Sequence, residues 1–304
     1  MKNHHVVTGA FGYSGSHIAR ALLAAGNRVG TLSGKLGRGH DLEGAVKRAP
    51  LDFEDPAALT RSLRGARVLY NTYWVRFSKG GFHIADGVRN SALLFECARA
   101  AGVERVVHVS ITKPSKSSPY EYFRGKAEVE SALVASGLAH TILRPALLFG
   151  GDDILINNIA WALRKLPVFG VFGDGEYPVQ PIHVEDLAQL AVEAGSGQLD
   201  RPNEVIDAVG PEVMTYRELV RKTRDAMGLR RGVLGMPRTV GLCASRVLGF
   251  LQRDVTLTRE EVGALMDGLL IGEGPATGTR RLSTWLRDEA SALGRSYHSE
   301  LVRR

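Results

Sequence analysis

Apolar residues in the first half of the chain fall into short runs, separated by longer stretches in which they recur every three or four positions. The runs His5-Val6-Val7-Thr8, Arg28 to Leu32, Val46 to Leu51, Val68 to Thr72, Val106 to Ser110 and Thr141 to Arg144 predict strands. The amphipathic stretches predict helices over Ser16 to Ala25 and Tyr122 to Ala135, and another ending at Ala101-Gly102, each closed by a glycine. Strand and helix alternating at such short intervals predict βαβ units, and so an α/β fold with a doubly wound parallel sheet.

After Gly150 the pattern changes. An amphipathic helix over Asp153 to Lys165 is followed by a strand at Val171-Phe172 and a tight turn at Gly173-Asp174-Gly175. His183 leads into a helix through Val192, and Val205 to Ala208 returns to strand. The remainder reads as helical over Tyr216 to Met227, Arg238 to Leu251 and Arg259 to Leu270, with a tail from Asp288. The expected organisation is a nucleotide-binding domain over 1–150 and a smaller, mostly helical substrate region over 151–304, interleaved with the sheet edge.

Composition narrows the class. In 304 residues, 44% hydrophobic and 23% charged are globular proportions and exclude a disordered chain. The 39 Lys and Arg exceed the 32 Asp and Glu, giving +7, but the basic residues are scattered. That suits phosphate-bearing ligands better than nucleic acid, for which neither a helix-turn-helix nor a basic stripe stands out. Cys97 and Cys243 form no CxxC pair, so neither a disulfide framework nor a zinc site is suggested. No apolar run reaches the roughly 18 residues of a membrane span, and the N-terminus enters a strand directly instead of a signal peptide. The cytoplasm is the expected compartment.

Gly9, Gly12 and Gly15 lie between the first strand and the first helix, with Phe11, Tyr13 and Ser14 among them. A turn without β-carbons lets the backbone approach a pyrophosphate, and the helix N-terminus offers N–H groups and partial positive charge. An NAD site places an acidic residue about 20 positions further on. Here that position holds Lys35, inside Leu32-Ser-Gly-Lys-Leu-Gly-Arg38, while Asp41 and Glu43 come late. Ser33, Lys35 and Arg38 suit a 2′-phosphate, so NADP(H) is favoured over NAD(H).

Tyr122 and Lys126 are four apart on a predicted helix and share a face. A free phenol ionises near pH 10, and a nearby ammonium favours the phenolate, which makes Tyr122 a usable proton donor or acceptor. Ser110 ends a predicted strand twelve positions earlier, where its hydroxyl can hold a reacting oxygen. Tyr120 is the internal control: its i+4 partner is Arg124, which does not exchange protons usefully.

Taken together, Gly9-x-x-Gly12-x-x-Gly15, Ser110 and Tyr122-x-x-x-Lys126 resemble a short-chain dehydrogenase/reductase of the extended or atypical kind. Asp52-Phe53 resembles the pair that contacts adenine in that family. Arg144-Pro-Ala-Leu-Leu-Phe-Gly150, with Pro145 and Leu148, is similar to the RPxxxYG segment bordering the nicotinamide, and His183-Val-Glu-Asp-Leu-Ala188 to the HVxDLA helix start. The stretch Tyr70-Asn71-Thr72-Tyr73-Trp74, the Tyr122 to Lys126 segment and Asp153 to Asn158 resemble a bacterial subgroup called NAD-dependent epimerase/dehydratase-like. That subgroup is akin to the nucleotide-binding accessory subunit of respiratory complex I.

The resemblance implies a Rossmann-type sheet, and cofactor contacts from Asn71, Thr72 and Tyr73 as well as Lys126. It implies hydride transfer to or from a carbonyl or hydroxyl carbon of a small-molecule substrate, by an oxidoreductase or epimerase, and a homodimer. Tyr122 would move the proton, Lys126 would tune it, and Ser110 would orient the substrate oxygen. Sugar-nucleotide enzymes carry small residues where this chain has Tyr73 and Trp74, which argues against a UDP-sugar. The alternative function is a non-catalytic NADP(H)-binding redox-sensing or assembly protein.

Several residues have plainer readings. His183 and Asp186 read as a helix start, and Trp74, Trp161 and Trp285 as core or pocket wall. Asn157 and Asn158 suit either the substrate region or a helix surface. The Arg238 to Leu251 helix has an apolar face and basic ends; packing over a cleft is favoured over peripheral contact with a membrane.

Overall fold

The computed structural model describes residues 4–34, 39–75, 83–197, 203–243, 245 and 258–299. Six strands come from the first 145 residues: β1 (His4–Thr8), β2 (Arg28–Leu32), β3 (Lys47–Ala49), β4 (Val68–Asn71), β5 (Arg105–Val109) and β6 (Ala139–Pro145). Between them run α1 (Tyr13–Ala24), α2 (Pro56–Leu63), α3 (Ile84–Ala100) and α4 (Glu121–Ala135). A further strand, Glu204–Ala208, joins in parallel at β6. The sheet order is Glu204–Ala208, β6, β5, β4, β1, β2, β3, with every neighbouring pair parallel. The chain therefore starts mid-sheet, builds outward to β3, then returns to β4 and builds the other way. That reversal opens a crevice at the C-terminal ends of β1 and β4.

Strand periodicity sorts the side chains onto two faces. Val6, Leu32, Leu69, Val106 and Ile142 pack on one face against apolar residues of α2, α3 and α4, among them Leu59, Phe95 and Leu133. Val7, Tyr70, Val107 and Leu143 are buried at alternate positions, facing the other way. The Tyr70 hydroxyl abuts Gly195 of the Val184–Ser196 helix, where a Cβ would overlap it. This makes the doubly wound, Rossmann-type architecture.

The chain divides into two compact units, Met1–Pro145 with Glu185–Ala208, and Ala146–Val184 with Val209–Arg304. The core of the second gathers Phe149, Ile156, Leu163, Val171, Leu219 and Leu286. Its Leu155–Lys165 helix carries Asn157 and Asn158, whose side chains bond the main chain of the 294–298 segment. Asn157 binds the Ser296 carbonyl (2.9 Å) and the Gly294 N–H (3.0 Å), and Asn158 binds both the N–H and the carbonyl of His298 (2.9 Å each). Arg164 holds the carbonyls of Ala290 and Leu293.

Two further expectations change. A Gly232–Met236 strand pairs in parallel with Val168–Phe172; of its residues only Val233 is buried, so no alternation announces it. Before the expected tail from Asp288 lies a further helix, Leu282–Glu289, of which Leu282 and Leu286, one turn apart, are the buried residues. The expected Arg238 helix is helical over 238–243 and at 245, and its remaining residues lie outside those described.

Tyr70 tests the packing beneath the sheet. Its buried hydroxyl has no hydrogen-bond partner among the described residues, so Tyr70→Phe is expected to raise the unfolding free energy by about 1 kcal/mol. Gly195→Ala is expected to lower it by roughly 1–3 kcal/mol through overpacking. Urea denaturation of both variants and the double mutant measures this, with part of the Gly195→Ala loss recovered once the hydroxyl is gone.

Candidate active site

The first strand ends in Thr8, and its side chain stitches the crevice shut from below. The Thr8 hydroxyl accepts the N–H groups of Thr72 (2.7 Å) and Tyr73 (3.0 Å) and donates to Asn71 Oδ1 (3.2 Å). Thr72 Oγ1 returns a bond to the Thr8 carbonyl (2.6 Å). Asn71 continues the chain of bonds, its Nδ2 donating to His108 Nδ1 (3.1 Å). His108 is fully enclosed; burial, then the charge of Lys126, pushes its imidazole well below the usual range. With Nδ1 accepting, the neutral ring carries its proton on Nε2.

Above Thr8 the glycine loop turns into α1. Gly9 adopts φ +66°, a left-handed conformation that glycine reaches without strain. A Cβ at Gly15 would overlap the Gly9 carbonyl, so the loop folds this tightly against α1 only because position 15 is bare. Gly12 occupies the N-cap with no side chain to bond the helix, and the first turn has no acidic residue. The positive helix end, with N–H groups lacking intrahelical acceptors, is thus left for an anion. These features line a cleft of about 340 Å³ bounded by Gly9, Gly12, Tyr13, Ser14 and Gly15 on one side. Leu32, Ser33, Gly34 and Leu51 bound another side, and Thr72, Tyr73 and Trp74 a third. The cradle fits a dinucleotide.

Of the other expected cofactor residues, Phe11, Asp52, Phe53, Asn71, Pro145 and Leu148 are not among those that line this cleft. Phe11 is buried edge-on to His40, with ring centroids 5.4 Å apart. Phe53 packs on Tyr73 at 4.9 Å, and the exposed Asp52 carboxylate accepts the Glu54 N–H. Asn71 is committed to the Thr8 network. The Pro145 carbonyl, at the end of β6, accepts the Thr112 N–H (3.1 Å), while Leu148 belongs to the second unit, in a short strand paired with Ile182–His183. Lys35 and Arg38 lie outside the described residues. The later acid Asp41 is held by Arg20 (2.8 and 2.9 Å) and His40 (2.9 Å).

On α4, Tyr122, Lys126 and Glu130 follow at one-turn intervals. Lys126 is buried, and its ammonium donates to the Val109 carbonyl at the end of β5 (3.0 Å) and lies 4.5 Å from the Trp74 ring centroid. Trp74 also meets the Tyr122 ring edge-on at 5.6 Å. Gly125 makes this possible, since a Cβ there would press into Trp74 and Ile84. Burial pulls Lys126 down to about 7, with Glu130 opposing the shift.

Ser110 donates its hydroxyl proton to Glu130 (2.5 Å), and Arg144 clamps the same carboxylate with two bonds, 2.6 and 3.0 Å. Sequence reasoning missed Glu130. Its signal was present as the i, i+4, i+8 spacing from Tyr122 and as a charged Arg144 within a buried strand. Thr112, buried two residues beyond Ser110, was also missed.

Residues 9–194 match a family model described as NAD(P)H-binding. The chain is 26% identical over 228 residues to NADH dehydrogenase (ubiquinone) 1 alpha subcomplex subunit 9 of Arabidopsis thaliana, covering 70% of this chain and 55% of that protein. It thus spans little more than half the length of that relative. It is 30% identical over 239 residues to ceramide reductase of Caulobacter vibrioides, covering 76% of this chain and 73% of that protein. Among solved structures, NADPH-dependent quinone oxidoreductase QOR2 from Escherichia coli, complexed with NADPH, superimposes with a TM-score of 0.73 at 21% identity. That match covers 94% of this chain and 98% of the other, and it establishes the fold.

Two outcomes test this geometry. Gly15→Ala, which forces the loop away from α1, is expected to weaken NADPH binding by about 100-fold or more in a fluorescence titration. Lys126 tests the electrostatics. Its folded-state value lies below its unfolded value of 10.5, so the folded chain binds fewer protons between about pH 7 and 10.5 and gains stability as pH rises through that window. The stability of the wild type relative to Lys126→Met should therefore rise by up to about 1.4 kcal/mol per pH unit above pH 7. Urea denaturation across that range measures the slope, and a flat difference would mean that Lys126 stays charged.

Proposed function

The chain belongs to the NAD(P)H-binding family, and from that premise we propose that it is an NADP(H)-dependent oxidoreductase acting on a carbonyl or hydroxyl carbon. The observation that carries this reading is Lys126, fixed to the end of β5 under Trp74 and one turn from Tyr122. In this proposal Gly9, Gly12 and Gly15 hold the pyrophosphate at the start of α1, and Ser33, Lys35 and Arg38 hold the 2′-phosphate. The pairing of Asp41 with Arg20 and His40 supports NADP(H), because it engages the nearest carboxylate beyond β2. When bound, the cofactor supplies or takes up the hydride.

The chain's own residues handle the proton. Tyr122 donates it to the substrate oxygen in the reducing direction, and the Lys126 ammonium favours the phenolate left behind. Ser110 gives its single proton to Glu130, so only its lone pairs remain to orient a substrate hydroxyl. Tyr122 is then the donor to a carbonyl. Tyr73 and Trp74 at the cleft wall support a compact substrate over a nucleotide-sugar, and the likeness to a ceramide reductase supports reduction over epimerisation.

The test is Tyr122→Phe, assayed by NADPH oxidation against a panel of aldehydes and ketones. Turnover is expected to fall by about 100-fold or more, with NADPH affinity held within about twofold because the glycine cradle is untouched. Unchanged turnover would remove Tyr122 from the mechanism, and a wild type that binds neither NADPH nor NADH would overturn the whole reading.

A further inference from the structure

Trp74 follows β4 at the wall of the nucleotide cleft and reaches the proton-handling pair on α4. Its point of departure is fixed by Tyr73. The Tyr73 N–H is shared between Thr8 Oγ1 and Asn71 Oδ1, and its hydroxyl accepts from Asn90 Nδ2 on α3 (3.1 Å). The six-membered ring of the indole then enters a notch between bare positions on two helices. A Cβ at Gly87 of α3 would stand 3.6 Å from it, and one at Gly125 of α4 would stand 2.9 Å away.

The residue type is informative. The indole N–H is buried and has no hydrogen-bond partner among the described residues, which is unfavourable. Leucine or phenylalanine would supply an apolar wall without burying a donor. What tryptophan adds is the ring that best attracts a cation. A cation lies there: the enclosed Lys126 Nζ is 4.5 Å from the ring centroid and 3.0 Å from the Val109 carbonyl. Tyr122, one turn earlier, meets the same indole at 5.6 Å and nearly at right angles. Around the ammonium stand Glu130 and Tyr122 on its own helix and His108 on β5. Glu130 is bonded to Ser110 and Arg144, and burial keeps His108 neutral.

We propose that Trp74 is a positioning residue for the proposed reaction: its ring holds the Lys126 ammonium at the Val109 carbonyl and fixes the Tyr122 ring beside it. The phenol and the ammonium that favours its anion are thereby kept in one arrangement. This role rests on the proton handling proposed for Tyr122 and Lys126.

Two substitutions separate the aromatic ring from mere bulk, since Trp74→Leu keeps an apolar side chain and Trp74→Phe keeps a ring as well. Urea denaturation of Trp74→Leu, Lys126→Met and the double variant forms a cycle that needs no substrate. The coupling is expected to be about fivefold in the unfolding equilibrium constant at pH 6, where Lys126 is charged in the folded chain. By pH 9, where it is neutral, the coupling is expected to shrink to within about twofold. Against the aldehyde and ketone panel, kcat should fall about 30-fold in Trp74→Leu and stay within about threefold of wild type in Trp74→Phe. Equal coupling at the two pH values would overturn the proposal, as would equal loss of turnover in the two Trp74 variants. Slow turnover in Tyr122→Phe with full turnover in Trp74→Leu would overturn the positioning role and leave the proposed reaction standing. Full turnover in Tyr122→Phe would overturn both.

Discussion

The Thr8 hydroxyl is the small polar knot on which the nucleotide half of this molecule depends. A parallel sheet that reverses its direction of growth must leave a gap beyond the ends of two adjacent strands, here β1 and β4. Thr8 takes up the backbone N–H groups of Thr72 and Tyr73, the latter shared with Asn71 Oδ1, and Thr72 reciprocates. Each bond contributes about 1 kcal/mol net, but leaving a donor unpaired in that interior costs about 1–3 kcal/mol. The knot therefore fixes where the glycine loop leaves one strand and where the aromatic wall leaves the other. The cleft is the space between those two departures.

A second line of polar groups runs down α4. Glu130 reaches Ser110 and Arg144, Lys126 reaches Val109, and Tyr122 stands against Trp74. The helix is fastened to β5 and β6 by side chains, with Gly125 letting the indole lie close. A buried carboxylate is tolerable here because a guanidinium and a hydroxyl satisfy it. Its charge in turn offsets part of the cost of burying the ammonium one turn away. The proton-handling face and the structural anchor of the helix are one surface.

The parts legible in the sequence were those governed by local rules. β2 runs from Arg28 to Leu32 as its apolar run predicts, Gly102 closes α3, and the glycine loop precedes α1. Tyr122 and Lys126 share a face because helical spacing demands it. What escaped notice depended on distant partners. The Gly232–Met236 strand buries a single residue and is defined by its neighbour Val168–Phe172. Glu130 acquires meaning only when β5 and β6 bring Ser110 and Arg144 to it. Asn157 and Asn158 suited either a substrate region or a helix surface, because nothing local marks a side chain that bonds to residues some 140 positions away.

Those two asparagines, with Arg164, grip the segment from Ala290 to His298 entirely by its main chain. Peptide groups are common to every amino acid, so the grip does not discriminate among side chains. Evolution is thereby free to rewrite most of this stretch while keeping its path. The exceptions are Leu293, which is buried in the core, Tyr297, whose ring meets Trp161, and Gly294, which has φ +66° and where a Cβ would strike the backbone at Ala160 and Trp161. Among relatives that keep this arrangement, the rest of the segment should drift in sequence around these fixed points.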